Sequence, residues 1–133
     1  MLRGPTLNLW WSELMSHDGA AYPTLWRTTR AVELGRAFEV IRALWDMPIE
    51  VTSGYRSAAW NTHVGGVQGS YHRKGLALDL RPPEGISVEA FRDGILDIAH
   101  EAGIRGVGYA DASKGGFVHV DLRDSPVVVT WNY

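Results

Sequence analysis

Two short apolar runs in this chain each carry one ionisable residue that a strand would bury. Asp79 lies within Leu76-Ala77-Leu78-Asp79-Leu80, and His119 within Phe117-Val118-His119-Val120. An unpaired carboxylate is costly to bury, so the fold must bring compensating chemistry to Asp79, and a metal ion would supply it. His72 stands seven residues before Asp79. Between them Gly75 and Ala77 are small enough to let a strand backbone pass close to a metal. His72, Asp79 and His119 together offer two imidazoles and a carboxylate, the ligand set of a catalytic Zn2+ site that keeps one position open.

Composition leaves few alternatives. The 133 residues include no cysteine, which excludes disulfides, thiolate zinc sites and cysteine catalysis and confines a metal search to five histidines and the carboxylates. Hydrophobic content of 45% and charged content of 21% are those of a globular protein, and the length suits one domain spanning 1–133. A net charge of -2 provides no basic footprint for nucleic acid and no polybasic membrane patch. No apolar run approaches the roughly 20 residues that span a bilayer. Met1-Leu2-Arg3-Gly4-Pro5, leading into Trp10-Trp11-Ser12-Glu13, does not read as a signal peptide. Most of the six tryptophans are expected in packing, with one or two lining a groove.

Leu34, Ala37, Phe38, Ile41, Leu44 and Trp45 recur at helical spacing and predict a helix that starts near Pro23-Thr24 and ends at Asp46 and Pro48. A strand is predicted over 49–53, stopped by Gly54, and a short helix over 57–63. A second strand over 76–81 is closed by Pro82-Pro83. Ser87 caps a second main helix with the stripe Val88, Phe91, Ile95, Ile98, Ala99 and Ala102, and Gly103 stops it. Further strands are predicted over 107–109, 117–122 and 127–131, the last two pairing as an antiparallel hairpin across 123–126. The class is α+β, with two main helices packed on one face of a small, mostly antiparallel sheet.

The pattern Ser70-x-His72-x-x-Gly75-x-Ala77-x-Asp79, with the later Val118-His119-Val120, resembles the zinc D,D-peptidases of the M15 class. These are cell-wall carboxypeptidases and endopeptidases whose fold is shared with the hedgehog signalling domain. Thr52-Ser53-Gly54-Tyr55-Arg56-Ser57, Gly65-Gly66 and Gly106-Val107-Gly108-Tyr109 are similar to that family as well, so the resemblance runs from about Trp10 to the C-terminus. It implies that His72, Asp79 and His119 are the zinc ligands and that water held by the zinc attacks a peptide carbonyl. It also implies that Arg56 steadies the charge developing on the carbonyl oxygen. Ser70 is expected to hydrogen-bond the substrate or a ligand.

One position departs from the family. Its general-base acid stands three residues before the last histidine, where this chain has Gly116. Asp121 is the first substitute. Side chains two apart on a strand share a face, so Asp121 is placed to orient His119 or to take a proton from water. Asp111 is the runner-up. His17, His63 and His100 read as surface residues, Ser57 has no triad partners, and Glu13, Asp18 and Glu84 have no spacing suited to sugar cleavage.

The resemblance implies a zinc-dependent peptidase acting on peptidoglycan stem peptides, whose carboxylate Arg56, Arg73 or Lys74 would receive. The alternative is a structural or wall-binding module without turnover, with Gly116 as its main support. The absent signal peptide suits a phage endolysin or a virion-associated protein, held in the host cytoplasm before lysis and acting at the cell wall. Other virion proteins are then the expected partners.

Overall fold

The two apolar stripes form the core expected of them. The computed structural model describes residues 3–133, and Met1 and Leu2 of the N-terminal stretch read above lie outside the described residues. Among the described residues four helices, α1 (Trp11–Leu14), α2 (Arg30–Trp45), α3 (Ala58–His63) and α4 (Val88–Ala102), accompany five strands: β1 (Val51–Ser53), β2 (Ala77–Leu80), β3 (Gly106–Ala110), β4 (Phe117–Asp121) and β5 (Val129–Asn132). Leu34, Ala37, Phe38 and Ile41 of α2 are buried with Phe91, Ile95 and Ala99 of α4, and the Trp45 and Phe91 rings meet at 5.1 Å. Leu44, placed in the stripe by spacing, is instead 45% exposed at the end of α2.

Local signals set most helix ends. The Ser87 hydroxyl accepts from the backbone N–H of Ala90, and Gly103 adopts φ 81° where α4 stops. Removing this cap by Ser87→Ala should cost about 1 kcal/mol, read as a fall in Tm of roughly 4 °C. The start of α2 is a correction. Thr24–Trp26 form a separate 3-10 turn, and α2 begins only at Arg30, after Thr29 breaks the helical path. Trp26 is held there by aromatic contacts with Tyr22 and Tyr55, which outweigh the capping signal of Pro23-Thr24.

The strand order is β1-β2-β4-β3-β5, antiparallel throughout except for β3 against β5. The expected hairpin between the last two strands is therefore overturned. β4 has β2 on one side and β3 on the other, so neither edge is free for β5. The connection over 122–128 reverses the chain and steps across β3, a lateral move of about 10 Å for two strand spacings. Backbone bonds from Val129 to Arg105 and from Tyr133 to Tyr109 fasten the last strand at that edge.

The pleat divides the sheet. Leu78, Leu80, Val107, Val118 and Val120 join the helices in the core. The alternate residues Asp79, His119 and Asp121 point to the other face. The α+β class and the packing of two main helices on one face are as expected, and the chemistry occupies the face that the helices leave open.

Candidate metal centre

Asp79 and His119 are brought together by register. They stand directly opposite each other on β2 and β4. His72 comes from the turn that precedes β2, where its backbone is held from several sides. The Ser70 hydroxyl accepts from the His72 N–H at 3.2 Å, the Arg56 N–H donates to the His72 carbonyl at 3.1 Å, and the Tyr22 hydroxyl donates to the Gly75 carbonyl at 2.7 Å. Gly75 has φ 68°, and a Cβ there would lie 2.7 Å from the Tyr22 oxygen, so both backbone shape and space require glycine.

The outer nitrogen of each histidine determines what its inner nitrogen presents. His72 Nδ1 lies 2.7 Å from the Gly54 carbonyl, which can only accept, so Nδ1 carries the proton. His119 Nε2 donates in the same way to Asp121 Oδ2 at 2.7 Å. Both inner nitrogens therefore face inwards as lone pairs. His72 Nε2 lies 3.2 Å from Asp79 Oδ1, His119 Nδ1 lies 3.0 Å from the same oxygen, and the two nitrogens are 3.2 Å apart. Three acceptors converge with no donor between them, and all three residues are buried. Tetrahedral zinc with bonds of about 2.0–2.1 Å holds its ligand atoms roughly 3.3–3.4 Å apart. The donor set fits such an ion.

Charge reinforces the demand for a cation. Burial opposes a charge on Asp79, but a proton on the inner nitrogen of His119 or His72 is shared with its oxygen, outweighs burial and holds the carboxyl well below the usual carboxylate range. A metal ion at this point takes the place of that proton. Burial likewise works against a charged His119, yet the flanking Asp121 and Asp79 carboxylates raise its pKa. Arg56 extends from the loop after β1. Its Nη2 lies 3.4 Å from Asp79 Oδ2, and its Nε donates to the Ser53 hydroxyl at 3.3 Å.

Asp121 lies on the far side of the His119 ring and is fully buried. Besides His119 Nε2, its oxygens accept from Arg123 Nε and Nη2, both at 2.8 Å, and from the Arg123 backbone N–H at 3.1 Å. Burial alone would raise its pKa, but Arg123 and His119 hold it low. Gly106 faces Asp121 across the β3–β4 pair, and a Cβ there would lie 2.3–2.5 Å from the carboxylate. Gly108 faces His119 and leaves space for the Trp131 indole, whose ring centre is 5.2 Å from that of His119. Gly106→Ala should therefore push Asp121 off His119 and weaken zinc binding about tenfold or more, measurable by chelator competition.

The three donors open into a cavity of about 540 Å³ whose walls include Arg56, Ser70, Tyr71, Phe117, Trp131 and Tyr133. Arg73 lines a neighbouring cleft and donates to the Gln68 carbonyl, while the Lys74 ammonium lies 4.4 Å from the centre of the Tyr71 ring. Asp111 is exposed and caps a turn through the Ser113 N–H and hydroxyl, away from the cavity walls. Gly116 adopts φ 63°, a conformation that glycine takes freely. His17, His63 and His100 are exposed, and His63 stacks on Trp60.

Trp131 is a tryptophan that lines the cavity, as expected of one or two of the six, whereas Arg123, Phe117 and Tyr133 are additions that the sequence reading lacks. A signal for Arg123 was present: positions 119, 121 and 123 share the period of one strand face. A family model described as Peptidase M15 matches residues 7–121, a span that takes in all three candidate ligands and Asp121. No curated protein matches the chain.

Proposed function

The chain belongs to the peptidase M15 family, and from that membership we propose that it is a zinc-dependent peptidoglycan peptidase, hydrolysing stem-peptide amide bonds as a D,D-carboxypeptidase or endopeptidase. The observation that carries this reading is the convergence of three buried lone-pair donors at the base of an open cavity. His72 Nε2, Asp79 Oδ1 and His119 Nδ1 would hold the zinc. Bound there, the ion supplies a Lewis acid that polarises a carbonyl and lowers the pKa of water.

The protein's own residues have separable tasks in this reading. Arg56 presents its guanidinium beside Asp79 at the cavity wall and stabilises the oxyanion of the substrate carbonyl. Asp121 already accepts four hydrogen bonds on the far side of His119, so it holds the tautomer of that ring rather than taking a proton from water. Ser70 fixes the turn that carries His72. Phe117, Trp131 and Tyr133 provide an apolar wall for a small side chain such as that of D-alanine. Of the three cations considered for the substrate carboxylate, Arg56 is the one on the cavity wall.

A second reading, a wall-binding or virion-structural module without turnover, is favoured by one observation. The carboxylates lining the cavity are Asp79 and Asp121, and both are already engaged. Among the described residues no helix is long and apolar enough to cross a membrane. Either reading has the protein acting at the bacterial cell wall, as an endolysin or virion component. Incubating zinc-loaded protein with crosslinked muropeptides and following them by mass spectrometry separates the two. Release of terminal D-alanine or scission of the crosslink is expected; zinc-loaded protein that binds muropeptides and leaves them intact would establish the module.

A further inference from the structure

We propose that Arg123 is a positioning residue for the metal centre, aiming His119 through Asp121. The inference rests on His119 being a metal ligand, as in the preceding reading. The Nδ1 lone pair of His119 points where the ring points, and the ring is turned by the bond from Nε2 to Asp121. What fixes Asp121 is Arg123. The guanidinium meets the carboxylate as a two-pronged fork, Nε to Oδ1 and Nη2 to Oδ2, both at 2.8 Å, and the Arg123 backbone N–H adds a third bond to Oδ1. A carboxylate free to swing would let the imidazole swing with it; a bidentate clamp removes that freedom.

The clamp is itself held. The Arg123 guanidinium carbon lies 4.9 Å from the centre of the Tyr71 ring and 4.8 Å from that of Trp131. Tyr71 precedes the ligand His72 in sequence, and Trp131 packs beside the His119 ring. Arg123 thus ties together the turn carrying one ligand, the strand carrying another and the edge strand that covers the site. Charge requires the same residue. Asp121 is fully buried, and without a cation against it the carboxylate would be left unbalanced. Lysine would supply the charge but neither the fork nor the flat face that fits between two rings.

The test uses the full chain with Arg123→Lys, Arg123→Ala and Tyr71→Leu. Zinc affinity is measured by competition with a chromogenic chelator, and cobalt(II) in place of zinc reports ligand geometry through its visible absorption. Thermal unfolding of the metal-free proteins reports the fold. Arg123→Lys should weaken zinc binding about 10–100-fold and shift the cobalt bands, with the metal-free protein still folded. Methylguanidine added to Arg123→Ala should recover part of the loss, which a purely structural defect would not allow. Tyr71→Leu, which keeps the fork and loses one wall, should give a smaller shift in the same direction. If Arg123→Ala does not fold, the other two variants decide. Arg123→Lys with zinc affinity within twofold of the parent and unchanged cobalt bands overturns the proposal. No readout here needs turnover. A parent that binds zinc and cleaves nothing sinks the peptidase reading while this one stands.

Discussion

Purified with zinc, the His72→Ala variant is expected to hold no stoichiometric metal and to lose hydrolysis down to the background of the assay. Removing His72 Nε2 leaves only Asp79 Oδ1 and His119 Nδ1 facing each other, and two donors do not make the three-ligand site that catalytic zinc requires. Metal content by elemental analysis is the direct readout. Stability gives an independent one. A ligand that binds only the folded protein stabilises it by about 2.7 kcal/mol at a hundred times its Kd, so zinc should raise the Tm of the parent by roughly 10 °C. His72→Ala should show no such gain. The dependence on pH follows from the donors. Asp79 is already ionised, because His119 and His72 overcome the effect of burial on its carboxyl. The proton that competes with metal is that of His119, whose pKa the Asp121 and Asp79 carboxylates raise against burial, so zinc affinity should fall as pH drops through the His119 range. Parent protein that folds and cleaves without any metal would overturn the assignment.

That Asp79 and His119 would be brought together was legible in the sequence for a physical reason: an ionisable residue inside an apolar strand has to be compensated, and both stand in that position. The helix caps at Ser87 and Gly103 were equally legible, because they are local chemistry. What escaped was non-local. Nothing near Val129 announces that its neighbour will be β3 rather than β4, since that depends on both edges of β4 being occupied. The partner of His72 Nδ1 is the Gly54 backbone carbonyl, which has no signature in residue type. The glycines at 106 and 108 were visible as a motif, but their purpose emerges only when Asp121 and Trp131 are found filling the space a Cβ would take. Asp121 shows the limit most clearly. Strand periodicity put it on the face of His119, while its hydrogen bonds depend on Arg123, whose fork occupies both carboxylate oxygens.

Arg56→Ala is expected to lower kcat by about a hundred- to a thousandfold, the loss seen when a donor to a developing oxyanion is removed, while leaving zinc in place. The two outcomes are separable because of how Arg56 is held. Its backbone N–H is committed to the His72 carbonyl, a bond that alanine keeps. Its side chain is held loosely, by one 3.4 Å contact to Asp79 and one 3.3 Å bond to Ser53. At 3.4 Å the Asp79 contact is long for a charge-assisted hydrogen bond, and the two histidines, rather than Arg56, are what keep the Asp79 carboxyl ionised against burial. The remaining guanidinium donors are free for a substrate oxygen at the cavity wall. Zinc affinity should accordingly change by less than tenfold and Tm by no more than a few degrees. If Arg56 acts on the transition state, the loss falls on kcat with KM nearly unchanged; if it receives the substrate carboxylate instead, KM rises and kcat holds. Arg56→Lys distinguishes charge from geometry, since a single ammonium on a flexible stem restores the first and not the second. Partial recovery of kcat with lysine would assign the effect to charge alone, whereas an unchanged kcat in Arg56→Ala would remove Arg56 from the chemistry.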